Sequence, residues 1–173
     1  MSWTDFHRRQ EILEAATRHA GRNPGASLSL DEIPGAADLF GCEEQLLLAL
    51  HYKWTQVLSG YLRAELADPD EAGDLGDQVD AVTRAWRRAT TDHEPMHAVL
   101  DAGGERHTSI AELRDGELRM LAVTAGLAEP GEPAAELTKV GRAFAALLRA
   151  GDDQRVARRS AMGRLRHLLA HAG

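Results

Sequence analysis

The feature that most restricts this chain is the stretch from Cys42 to about Ala67, which holds no Pro and a single Gly, Gly60. Along it Leu46, Leu47, Leu50, Trp54, Val57, Leu58, Tyr61 and Leu62 recur every three or four positions, the spacing of one face of an α-helix. At about 1.5 Å per residue such a helix is nearly 40 Å long and spans a small domain, so the remaining elements must pack along it.

Those elements read as helices too. No stretch alternates as a strand does, and Gly and Pro cluster between periodic segments rich in Ala, Leu, Arg and Glu. A first helix, capped by Ser2 or Thr4, runs to about His19 with Phe6, Leu13 and Ala16 or Ala20 on its buried stripe. A short helix follows from about Leu30 to Ala37, and Pro34 keeps it short. After the long helix, periodicity predicts helices over 75–91, over 95–102 closed by Gly103-Gly104, over 108–125, over 134–149 and over 152–170, the last two joined by Ala150-Gly151. The reading is an all-α bundle of about nine helices, with the last two forming the interface of a symmetric homodimer.

At 173 residues the chain fits a single domain that buries about two-thirds of its unfolded surface. The lone Cys42 cannot close an intrachain disulfide, and no apolar run of about 18 residues offers a membrane span. No apolar run follows the basic residues of the N-terminus, so a cytoplasmic protein is expected. The formal net charge of -7 means that any contact with nucleic acid must be local. Arg8 and Arg9, beside His7, are the candidates for it at the N-terminus, and Arg155, Arg158, Arg159, Arg164 and Arg166 form a second basic group.

Three blocks arrive in a suggestive order: Arg9-Gln10-Glu11-Ile12-Leu13-Glu14-Ala15-Ala16, then Ser29-Leu30-Asp31-Glu32-Ile33, then Leu39-Phe40-Gly41-Cys42-Glu43-Glu44-Gln45-Leu46-Leu47. This resembles the opening of TetR-family transcriptional regulators. The resemblance implies a helix-turn-helix region over about 1–50, a ligand-binding and dimerising helical domain over 51–173, and regulation by a small molecule. Between the second and third blocks, however, the family carries about eight more residues that form the turn and recognition helix. Here Ala36-Ala37-Asp38 runs straight into Leu39-Phe40, and Glu43 stands where a Lys is usual. The region is a shortened or degenerate helix-turn-helix, which leaves two readings: a TetR-like regulator that senses a ligand, or a ligand-binding or scaffold dimer that does not touch DNA.

A different class of function comes from His93-Glu94-Pro95-Met96-His97, which matches the zinc-hydrolase pattern H-E-x-x-H. That pattern needs both His on one helical turn, whereas Pro95 favours the first position of a helix and leaves His93 and Glu94 as its cap. No catalytic residue, metal or cofactor is therefore assigned. The ligand pocket implied by the resemblance would be bordered by Trp54, Tyr61 and Trp86, with His51, Thr83, His97 and Met120 completing it around a small apolar or aromatic molecule.

Overall fold

The computed structural model describes residues 3–23, 28–67 and 75–151. Its elements are α1 (Trp3–Arg22), a 3-10 turn (Leu30–Glu32), α2 (Ala36–Phe40), α3 (Glu43–Leu66), α4 (Leu75–Asp92), α5 (Glu94–Arg106) and α6 (Thr108–Thr124). Residues 134–151 form a further helix, α7. No strand occurs among the described residues, so the all-α reading holds. Among them there are seven α-helices and one 3-10 turn rather than about nine helices; the helix expected over 152–170, and with it half of the expected dimer interface, lies outside the described residues.

The long helix is the axis of the bundle. Leu46, Leu47, Leu50, Trp54 and Leu58 of α3 expose no surface, and α3 packs against α1, α2, α4, α5 and α6. Burying each of these side chains stabilises the fold by roughly 1.5–3 kcal/mol before entropy is subtracted. Across the bundle α1 lies along α5, with Gly21 against the ring of Pro95.

Several boundaries differ from the sequence reading, each for a local reason. The helix expected from Leu30 to Ala37 is split. Pro34 forces Ile33 into extended backbone, and Gly35 takes a left-handed φ of 79° that starts α2 afresh. Helix α5 does not close at Gly103-Gly104 but continues to Arg106. Gly103 is there for packing: a Cβ on it would lie 2.9 Å from a methyl of Leu47 on α3. The break comes instead at His107, extended at φ -125° and ψ 116°. Ala150 and Gly151 are helical, so no turn separates them from α7. On α1 the buried stripe is Ile12, Leu13, Ala16 and Ala20, while Phe6 is 51% exposed because the first two turns extend past the packed part of the helix.

Two features fix how the later helices sit. Gly126, at φ 67°, ends α6 with paired hydrogen bonds from Leu127 N–H to the Ala122 carbonyl (2.9 Å) and from Gly126 N–H to the Val123 carbonyl (3.0 Å). Helix α7 then crosses α6 at very close range: a Cβ on Gly141 would lie 2.6 Å from the Leu118 carbonyl carbon. Arg142 donates to both oxygens of Asp115 at 2.8 Å, and Arg119 donates to the Thr138 hydroxyl at 2.9 Å.

Glu43 anchors the start of α3. One carboxylate oxygen accepts the Leu28 N–H at 3.0 Å and the Arg106 guanidinium at 2.7 Å, and the other lies 3.2 Å from His107 Nε2. Burial raises its pKa, but the hydrogen bonds from Arg106, His107 and Leu28 outweigh that and hold it below the usual carboxylate value. Glu44 beside it accepts the Ser109 hydroxyl.

Candidate functional site

Where α3, α5 and α6 meet, the apolar interior contains a chain of polar side chains. The Trp54 indole N–H donates to Glu117 Oε2 at 2.8 Å, joining α3 to α6. Arg114, one turn earlier on α6, donates to the same oxygen at 3.2 Å. Its other nitrogen donates to Asp101 on α5 and lies 3.2 Å from His97 Nε2. The His97 ring sits edge-on between two indoles, 5.1 Å from Trp54 and 5.7 Å from Trp86. Glu117 is the buried end of this polar chain, Arg114 is half-buried and the Asp101 side chain is 43% exposed, so the cost of desolvation falls mainly on Glu117.

Burial sets the protonation of this cluster. It pushes Glu117 above the ordinary carboxylate range, although Arg114 and the Trp54 indole pull the other way. Burial also lowers His97 to about 4, opposed by Asp101 and assisted by Arg114 and Arg149. His51 is lowered to about 4 by burial and then by Arg114. Both imidazoles are neutral at pH 7.

His51 is the irregular member. It is only 6% exposed, and its Nε2 is buried with no hydrogen-bond partner. Glu117 Oε2 lies 3.8 Å away, too far for a hydrogen bond, and a neutral imidazole forms no ion pair with it. Buried polar atoms are nearly always satisfied, and leaving one unsatisfied costs about 1–3 kcal/mol.

His51 and Glu117 both line a groove of about 530 Å³ between α3 and α6. Leu48 and Leu58 of α3 and Leu113 and Met120 of α6 give it an apolar lining, and Gly116 contributes no side chain. At its rim Tyr52 is 68% exposed. The volume is that of a small-molecule site, and an apolar wall with few polar groups is the usual composition of one.

The structure separates the residues that the sequence grouped as one pocket. His51 and Met120 line the groove. Trp54, Trp86 and His97 pack around the polar cluster behind it, with Trp54 reaching the groove only through Glu117. Tyr61 lies elsewhere, donating its hydroxyl to Asp92 at 2.6 Å, and Thr83 is half-buried on α4 and does not line the groove. The DNA-contact candidates fold back on the protein: Arg8 lies 3.7 Å from Asp38, and the Arg9 guanidinium stacks 4.8 Å from the Phe40 ring. In the H-E-x-x-H segment His93 caps α5, Glu94 opens it, and the two imidazoles diverge, His93 toward Tyr61 and His97 toward the tryptophans. Among the described residues no group of three His, Cys, Asp or Glu is placed to hold a metal ion, and no helix is long and apolar enough to cross a membrane.

Sequence reasoning missed Asp101, Arg114 and Glu117. The signal was present on α6, where Ile110, Arg114, Glu117 and Leu121 share one helical face, so two charged residues occupy the stripe that the core requires. No family model, curated protein or solved structure matches the chain.

Proposed function

We propose that this chain is a TetR-like regulatory protein that senses a small, mainly apolar molecule in the α3–α6 groove and does not read DNA through a helix-turn-helix. The observation that carries the reading is the groove itself, with a buried His51 nitrogen that has no partner in its wall. A ligand seated there presses on the Trp54–Glu117 link between α3 and α6, and through Arg114 on α5. Ligand binding then favours one spacing of these helices over another, which is how a population shift reaches the N-terminal region packed on α3 and α5.

Two observations support sensing without DNA reading. Helix α2 has only five residues, and Arg8 and Arg9 are engaged with Asp38 and Phe40 beside it. A recognition helix needs several side chains directed at base edges in the major groove.

The test is a ligand-observed NMR screen of small aromatic and aliphatic compounds against the wild type and Gly116→Leu. A Cβ at Gly116 meets only the far end of Arg119, at 3.6 Å, so there is room for a side chain to start there, and Leu is chosen to occupy the groove that Gly116 lines. Hits that disappear in the variant support the reading; hits indifferent to it overturn the groove as the site. Fluorescence anisotropy with the protein's own upstream DNA and a scrambled duplex tests the second half. Sequence-preferring binding that survives physiological salt overturns sensing without DNA reading.

A further inference from the structure

We propose that the groove selects a neutral, mainly apolar molecule carrying one hydroxyl or N–H group, an alkylphenol in its simplest form, which donates a hydrogen bond to His51 Nε2; this rests on the groove being a ligand site.

The selection follows from what surrounds that nitrogen. Glu117 Oε2 lies 3.8 Å from it and already accepts bonds from Trp54 and Arg114. A ligand acceptor placed at His51 would set its lone pairs beside those of Glu117, with the Glu112 carboxylate also lining the groove. A donor is attracted by both. Burial keeps His51 neutral at pH 7, and a neutral imidazole with its proton on Nδ1 offers Nε2 as its one acceptor. Nε2 is covered, so the ring must turn slightly toward the groove, and no hydrogen bond at Nε2 resists that turn.

The rest of the lining sets the remaining properties. Leu48, Leu58, Leu113 and Met120 favour an apolar body. A ligand cation would lose its hydration for a Glu117 already paired with Arg114; an anion would face Glu117 and Glu112, while Arg119, also in the lining, is engaged by the Thr138 hydroxyl.

The experiment is calorimetric titration of the full chain with four probes sharing one body: 4-butylphenol, 4-butylanisole, 4-butylbenzoate and 4-butylbenzylamine. The phenol is expected to bind about fivefold more tightly than the anisole, the net worth of one hydrogen bond, even though the anisole is the more apolar. Benzoate and benzylamine should bind more weakly still, and in His51→Leu the preference for phenol over anisole should vanish. The wild-type comparison stands even if that variant does not fold. Equal binding of phenol and anisole, or tightest binding by the benzoate or the amine, overturns this inference while leaving the groove as a site. Binding by none of the four overturns both.

Discussion

At position 141 a hydrogen is the largest substituent that the packing of α7 on α6 admits, because what a Cβ would meet is the backbone of Leu118, which cannot swing aside. At Gly103 the obstacle is a Leu47 methyl, which can rotate, and at Gly116 there is room. All three glycines are helical, so replacing any with Ala gains about 1 kcal/mol of helix propensity, and differences among them isolate packing. Urea denaturation should rank Gly116→Ala above the wild type, Gly103→Ala below Gly116→Ala, and Gly141→Ala lowest, with a net loss on the order of 1–3 kcal/mol. A Gly141→Ala variant as stable as the wild type would contradict the close crossing. Legibility at this scale was uneven. The apolar stripe of α3 was read correctly, since Leu46, Leu50, Trp54 and Leu58 are all in the core. The polar cluster was missed because charged residues on a helix are ordinarily solvated, and only the partners of Arg114 on α5, Asp101 and His97, reveal that it turns inward beside Glu117.

Among the elements, the N-terminus of α3 depends on one carboxylate. Glu43 joins the amide of Leu28 to the elbow between α5 and α6 through Arg106 and His107. Glu43→Ala removes an acceptor from three donors and should cost about 1–3 kcal/mol. Hydrogen exchange gives the sharper reading, because the Leu28 amide should lose protection while amides in the middle of α3 keep theirs; unchanged exchange at Leu28 would rule the anchor out. Helix existence was legible for α1, α3, α4, α6 and α7, where periodicity runs over four turns or more. Boundaries were less so. Gly and Pro were read as punctuation between 125 and 134, where the structure has a loop, and at Gly103, where it does not, because the small size of Gly103 serves a neighbouring helix that sequence alone cannot locate; Pro34-Gly35, placed inside one short helix, instead splits it.

For the molecule as a whole, the buried imidazoles tie stability to pH. His51 and His97 have folded-state values of about 4 against an ordinary 6.5, so between those limits the unfolded chain binds more protons and stability falls as pH falls. Glu117 acts in the opposite sense, since its raised value makes the fold lose stability as pH rises above about 4.5. The expected profile is a decline from pH 7 toward pH 4, followed by denaturant midpoints, that is shallower in His51→Leu and steeper in Glu117→Gln. An acid decline with the same slope in all three proteins would remove these groups from the account.

The crossing at Gly141 bears on motion as well as on stability. With no side chain between their backbones and with Arg142 gripping Asp115, α6 and α7 behave as one stiff body, and α6 is also a wall of the groove. The ten residues that follow Gly141 to the end of α7 extend for about 15 Å, so a tilt of roughly 5° in α6 is delivered there as a displacement of about 1 Å. Helix α7 is thus a lever arm whose fulcrum is a glycine.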